Sequence, residues 1–467
     1  MTDKNHDRPK ALRGTGVQAS RWALTRRATH GGKRGSSDTT IAPRPSDWRS
    51  AYGWLLAPAA ISVLLLAGSI VPEVPLERLD SATAIGDDIR LVLPPTYLAL
   101  DPICRLLDTL TLLTLGQLGS LWGTLIGACA AYGALTGRGR SASHRWRQGA
   151  IWAVTATAVI LAISAAGILL PRPMAALAVQ SPNLMTIDFH SHTNASHDGR
   201  PGFDSEANRA WHVAGGFNVA YLSDHANWKA IGAAEKQNPA VAGAGTMLLS
   251  AVEVRLGRYY VVALGPEAQY EPALKGNLLD DDARYAGARR GSLIYTLPLP
   301  PLDLQSSSVP RFKDVSAIEI CDASPRGLAQ SQEYHETLLA WADDMNVPVV
   351  ASSNNHGWGR TAACWTLMEV PGWRQMDQNR LSSAIEQNLR GGRKATSVVA
   401  MRPPVGELTG WRTLALAPML VMYLTRSLGA AERCSWIAYV WGWALMCRRW
   451  RQSRSQVGSD PVRVAVQ

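Results

Sequence analysis

The sequence predicts an α/β domain with α-helical transmembrane segments on both sides of it. Three observations lead there. Long uncharged runs precede residue 172, short strand-like runs alternate with helical patterns through residues 183–400, and apolar stretches broken by arginines follow residue 412. The expected organisation is a disordered basic cytoplasmic arm (1–50), a membrane domain with three transmembrane helices (51–182), the α/β domain (183–400) and a C-terminal membrane segment with a basic tail (401–467).

The arm carries eleven Lys/Arg against four Asp/Glu and little apolar periodicity, a composition that does not bury a core. After it, residues 51–71, 109–137 and 149–171 form uncharged runs of 21, 29 and 23 residues. Crossing a hydrocarbon core of ~30 Å takes about 20 residues of helix, so each predicts a span. The run at 51–71 is too long and too far from the start for a cleaved signal peptide.

Charge sets the expected orientation. Residues 72–108 hold seven acids and three arginines, whereas 138–147 hold four arginines and no acid. Basic loops stay cytoplasmic, which places 138–147 inside and delivers residue 172 to the outer face of an inner, cytoplasmic membrane. The α/β domain is therefore expected on the periplasmic or extracellular side of a multi-pass protein whose first partner is the lipid bilayer. The net charge of +10 follows this flanking pattern, so no nucleic-acid partner is expected. Six scattered cysteines without a CxxC pair indicate neither a zinc ribbon nor a disulfide framework.

Within 183–400, Val-, Ile- and Tyr-rich runs predict strands at 185–190, 219–223, 247–254, 259–264, 292–296, 315–321 and 347–352. Helical patterns fall at 205–214, 331–346 and 382–389. Alternation of this kind predicts a parallel α/β sheet, open or closed into a barrel. Past the domain, residues 413–425 predict an interfacial helix and 435–447 a fourth crossing, which leaves the basic tail cytoplasmic.

Folds of this class gather reacting groups at the carboxyl ends of their strands. His190 and His192 end the first predicted strand, Asp224 and His225 the second, Glu253 the third, and His356 follows the last. In His-x-His on a strand both imidazoles point the same way, so His190 and His192 can approach one ion. Glu253 can bridge two ions, and Asp224 can ligate or orient His225. Imidazoles and carboxylates together suit divalent Mn, Zn or Fe, two ions being expected. Such a pair would activate a water and neutralise a phosphoryl oxygen, the chemistry of phosphoester hydrolysis.

The segments DFHSHTNASHDG (188–199), AYLSDH (220–225), SAVEV (250–254) and SSNNHGWG (352–359) resemble, in order, the motifs of the PHP family, named for polymerase and histidinol phosphatase. The resemblance spans residues 183–400. It implies a distorted (β/α)7 barrel and a metal-dependent hydrolase, usually a phosphoesterase. By motif position, His190, His192 and Glu253 would hold one ion. His225 and His356, with either Asp198 or its neighbour His197, would hold another, and Asn354 stands at a metal-ligand position of the final motif. Tyr260, Leu297 and Asn354 depart from the histidines and aspartate usual there, which argues for two ions rather than three, unless Asp322 substitutes.

Asp224 and His197 are the candidate catalytic residues, a metal-bound water being the alternative general acid, and Arg326 and Arg360 the candidate phosphate clamps. His212 and His335 read as packing or surface histidines. The expected function is membrane-anchored, metal-dependent hydrolysis of a phosphoester by a metal-activated water. The alternative is a degenerate PHP-like domain acting as a membrane sensor or scaffold.

Overall fold

The protein is described by a computed structural model covering residues 47–457, apart from 138, 140, 257, 258, 267–291, 297–314, 325, 326, 360, 407 and 409. Its first elements are α1 (Asp47–Ala67), β1 (Leu76–Arg78), β2 (Ile89–Val92), α2 (Pro95–Ala99), α3 (Asp101–Thr111), α4 (Leu115–Thr136), α5 (Ala142–Leu169) and β3 (Ala176–Val179). A reciprocal box starts α4: Gln117 N donates to Thr114 Oγ1 at 3.1 Å, and Thr114 N to Gln117 Oε1 at 3.0 Å, satisfying two of the helix's free donors. Glycines let α4 and α5 approach closely; a Cβ at Gly149 would lie 3.0 Å from Ala130 O.

Among the described residues, two helices, α4 and α5, are long and apolar enough to cross a membrane, and both precede the α/β region that begins at Leu184. Their apolar side chains point outward; Val154 is 69% exposed and Leu161 63%. This corrects two expectations. The first predicted span is a shorter apolar helix, Tyr52–Ala67, and no helix long and apolar enough to cross a membrane follows the α/β region among the described residues. The last helix is long enough, 28 residues. However, only 14 uncharged residues separate its Arg433 from Arg448, so charge rather than length disqualifies it.

The α/β region comprises β4 (Leu184–Ser191), α6 (Ser205–Gly215), β5 (Val219–Leu222), α7 (Ile231–Lys236), β6 (Met247–Leu256), β7 (Tyr259–Leu264), β8 (Leu293–Tyr295), β9 (Ala317–Asp322), α8 (Gln332–Asp344), β10 (Val349–Ser352), β11 (Cys364–Glu369), α9 (Gln378–Leu389) and β12 (Thr396–Met401); α10 (Leu416–Ser427) and α11 (Ala430–Val457) follow. Ten strands form one curled sheet in the order β1-β12-β11-β4-β5-β6-β7-β8-β9-β10. Pairs β4/β5, β5/β6, β8/β9 and β9/β10 are parallel, whereas β7 runs antiparallel to both β6 and β8.

The sheet curls until β10 returns to β4. A parallel bridge joins Ser191 to Asn355, Asn354 N donates to His190 O at 2.8 Å, and His192 N donates to Asn355 O at 2.9 Å. Strands β4 to β10 thus enclose an interior to which every one of them contributes: Met185, Ile187 and Phe189, Val219 and Tyr221, Leu249 and Ala251, Val262, Ile294, Ala317 and Val350 form one buried cluster, with Leu381, Ile385 and Leu389 of α9. Outside the ring, α8 covers Ile318, Ile320, Val349 and Ala351, and α7 covers Ala220, Leu222 and Leu248. Burial on both faces is why these strands read as continuous apolar runs.

The predicted strands and helices of residues 183–400 match observed elements, but β11 and β12 extend the sheet beyond the ring. The segment expected between the first two spans is woven in as well: β1 pairs antiparallel with β12, and β2 pairs with β3. The predicted interfacial helix corresponds to α10, and the predicted crossing falls inside α11.

Candidate metal centre

One irregularity of β4 aims the first two histidines. Ile187 and Asp188 pair with Val219 and Ala220, but the next pair is Ser191 with Leu222, so three residues of β4 advance against two of β5. An extra residue of this kind reverses which side chains face which side. Met185, Ile187 and Phe189 face the interior below it, and His190 and His192 meet interior groups above it. Glu253 continues the interior row Leu249, Ala251 of β6, and Glu319 continues that of Ala317 on β9, two residues further along each strand. The polar groups therefore sit on top of the apolar plug, at the carboxyl ends of parallel strands.

Glu253 is the hub. Its Oε2 lies 3.2 Å from His190 Nε2, 3.4 Å from His192 Nε2 and 3.0 Å from His225 Nδ1. A second carboxylate, Asp198, lies 3.6 Å from His225 Nε2 and 3.1 Å from His356 Nδ1. The rings pack tightly, with His192 stacked on His356 at 4.0 Å between centroids. Three groups present nitrogens and oxygens within 4.8 Å of one another: His190, His192 and Glu253; His192, His225 and His356; and His197, Asp198 and His225.

These residues fit divalent ions on an observation independent of spacing. Among the described residues, His190 Nε2, His192 Nε2 and His356 Nδ1 are buried and find no partner of hydrogen-bonding geometry, although such groups are normally satisfied. They lie 3.2, 3.4 and 3.1 Å from carboxylate oxygens, an arrangement in which nitrogen and oxygen donors can share one ion.

The opposite ring nitrogens are held. His190 Nδ1 faces Glu319 Oε1 at 3.3 Å, His192 Nδ1 faces Ser196 Oγ at 3.1 Å, and His356 Nε2 faces Asn354 Oδ1 at 3.0 Å. Partners on the far nitrogen fix ring orientation and tautomer for a metal on the near one. Asn354, expected at a ligand position, spends its amide oxygen on His356 and donates from Nδ2 to Asp322 Oδ2 at 3.1 Å. It adopts φ 43°, a left-handed conformation asparagine tolerates better than most residues. Asp322 in turn accepts from Ser324 N and joins none of the three groups.

Asp224 occupies both carboxylate oxygens in the loop between the motifs. Oδ1 accepts from Thr193 N at 2.7 Å and Ser196 Oγ at 2.9 Å, and Oδ2 from Thr193 Oγ1 at 2.7 Å. This explains the Thr and Ser of HTNAS: they tie the loop after β4 to the end of β5. His197 is exposed, its ring 5.0 Å from that of His225. Loop ties position Asp198 too, with Trp358 Nε1 donating to Asp198 O at 2.9 Å and Arg200 N to His356 O at 2.8 Å. Arg326, Arg360 and Leu297 lie outside the described residues. Tyr260 stands beside the centre, its ring 6.4 Å from His225.

Charge is distributed to match. Burial lowers the His190 pKa, but Glu253 and Glu319 on either side outweigh it and hold it well above the usual imidazole value. His192, fully buried among other histidines, is pushed well below it, and burial takes His356 down to about 4. His225 is desolvated yet ends raised by Glu253 and Asp198. Burial would raise Glu253, but its imidazole neighbours win and hold it well below the ordinary carboxylate value.

Two features escaped the sequence reading. Glu319, wholly buried, was signalled only by an acid inside the apolar run AIEIC. Asp188 anchors a second buried cluster: Oδ2 meets His212 Nε2 at 2.8 Å and Ser353 Oγ at 2.5 Å, while Oδ1 accepts from His190 N and Ser353 N. His212, expected as a packing or surface residue, is fully buried there.

No family model matches the chain, and no curated protein of similar sequence was found. Among solved structures, PsfC of Pseudomonas syringae is 18% identical over 52% of this chain and 98% of its own, with a TM-score of 0.31. A candidate metal-dependent phosphoesterase of Bifidobacterium adolescentis is 14% identical over 43% and 95%, with a TM-score of 0.29. The lesion-specific endonuclease PfuEndoQ of Pyrococcus furiosus is 14% identical over 48% and 60%, with a TM-score of 0.34. Superpositions this loose transfer no activity.

Proposed function

We propose that this chain is a membrane-anchored, metal-dependent hydrolase whose substrate is a phosphoester. One observation carries the reading: a single buried oxygen, Glu253 Oε2, lies within 3.4 Å of three imidazole nitrogens, two of which have no hydrogen bond. His190, His192 and Glu253 would hold one divalent ion, and His225, His356 and Asp198 a second. Bound ions would supply an activated water and neutralise charge developing on a phosphoryl oxygen. Glu319, Ser196 and Asn354 keep the three imidazoles in the required tautomer. Asp224 holds the HTNAS loop, a positioning place rather than one at the reacting atoms, and His197 is the exposed group free to exchange protons with substrate. The exposed apolar surfaces of α4 and α5 support anchoring in a bilayer, with the basic link 138–147 on the cytoplasmic side and the metal centre on the other.

The full-length protein, supplied with Mn²⁺ or Zn²⁺, should hydrolyse an aryl phosphodiester or phosphomonoester, and His190→Ala with His192→Ala should abolish turnover. A metal-replete protein inert toward a broad phosphoester panel contradicts the reading. The sensor alternative draws support from Asn354, which brings a neutral amide where a carboxylate would add ligand charge. Metal content separates the two, since a sensor with an incomplete centre should retain less than one ion per chain.

A further inference from the structure

A second site opens on the other side of the His356 loop. A cleft of about 430 Å³ is lined by Arg172, Arg200, Met174, Phe203, Trp211 and the alanines of α6, a volume ordinary for a small-ligand site. Its wall is apolar apart from two guanidiniums. Arg172 Nε donates to Asp108 Oδ1 at 2.9 Å and Nη1 to Gly167 O and Gly359 O, so Asp108 matches its charge. Its Nη2 nevertheless is buried without an acceptor, in a side chain only 9% exposed. Arg200 bonds Gly357 O at 3.3 Å through Nη1 and has no carboxylate partner among the described residues.

The location specifies the occupant further. Pro171, at the rim, directly follows the end of α5, where Ile168, Leu169 and Leu170 are 50%, 48% and 59% exposed. The cleft thus continues an exposed apolar helix end and carries the Arg200 cation at its polar end. We propose that it binds an anionic membrane phospholipid, the phosphate meeting Arg200 and the first methylenes lying on Met174, Phe203, Trp211 and α6, with Arg172 adding positive potential to the wall from behind its bonds to Asp108, Gly167 and Gly359. Guanidinium geometry suits the phosphate, and the uncharged wall suits the chain. Residues 207, 210 and 214 are alanines, which leaves the volume open. The inference rests on the membrane reading and not on the metal centre.

Full-length protein, delipidated in a neutral maltoside detergent, can be titrated with phosphatidylglycerol or phosphatidylcholine and the bound lipids counted by native mass spectrometry. One phosphatidylglycerol should bind at least about tenfold more tightly than phosphatidylcholine. Arg200→Gln and Ala210→Trp should each remove that preference, a loss of about tenfold being what one charge-assisted contact contributes. Glycerol phosphate, which lacks acyl chains, should not compete. Equal affinity for both lipids, a preference surviving both substitutions, or full competition by glycerol phosphate overturns the proposal. Flotation with vesicles tests the membrane reading separately: a protein that floats without lipid selectivity refutes the cleft alone.

Discussion

Two buried polar clusters start from the same strand, and they differ in one respect. Around Asp188, the carboxylate oxygens are met by His212, Ser353 and backbone N–H groups, and His212 Nδ1 donates to Asn208 O at 2.8 Å. Two residues along, His190 and His192 are held on one ring nitrogen and left unmet on the other. Burying an unsatisfied polar group costs roughly 1–3 kcal/mol, so three such nitrogens side by side mark a place built for something that binds there. The Asp188 cluster reads as framework, and the His190 cluster as a candidate receptacle for an ion.

Four outcomes would sharpen or break that contrast. Largest is His192→Ala, which removes a side chain shared by two of the three candidate ligand groups. Metal content should fall by at least one ion and turnover by about a thousandfold or more, as metal analysis and steady-state kinetics would read, with little change in melting temperature beyond lost metal stabilisation. Asp188→Ala should do the reverse, costing about 3–5 kcal/mol of stability because a buried partner is stranded. Denaturant unfolding of the metal-free protein measures it. Should Asp188→Ala leave stability intact, the framework half of the comparison fails.

Third, Glu319→Gln should weaken metal affinity by about 10–100-fold, as loss of a partner on the far side of a ligand does, with the fold retained; competition against a chelator reads it. Smallest is the effect of pH. Their raised pKa values mean that His190 and His225 hold protons more tightly than free imidazole. Those protons stabilise the metal-free fold below the ordinary value near 6.5, and that contribution disappears as pH rises through the raised values. A metal must displace them, so its affinity should rise with pH from below 6.5 upward, about tenfold per unit for each proton released. A flat or falling affinity contradicts the arrangement.

Much of the candidate centre could be read from residue spacing because most of the side chains that cluster there sit at strand ends, and strand ends are marked by where apolar runs stop. His190 and His192 lie at the end of β4, and His225 and His356 follow the ends of β5 and β10, whereas Glu253 lies inside β6, three residues before its end at Leu256. What escaped depends on contacts across the fold. The extra residue between Asp188 and Ser191 is visible only once β5 is alongside. Glu319 looks like a misplaced charge until it meets His190, 129 residues away in sequence. Asn354 matched a ligand position, but its left-handed backbone and the nearness of Asp322 turn its amide to another use. Strands β11 and β12 had no alternation to reveal them, being buried on both faces over most of their length. At the C-terminus, apolar residues of α11 suggested a crossing that the charges at Arg433 and Arg448 shorten.

The most direct test is to count metal ions on the full-length protein, purified without chelator and equilibrated with Mn²⁺ or Zn²⁺, by elemental analysis beside His190→Ala and Glu253→Gln. The geometry predicts about two ions per chain, falling to one or fewer in each variant. Wild-type protein that retains none, or variants that bind as much as wild type, would show that the unmet imidazole nitrogens serve no ion.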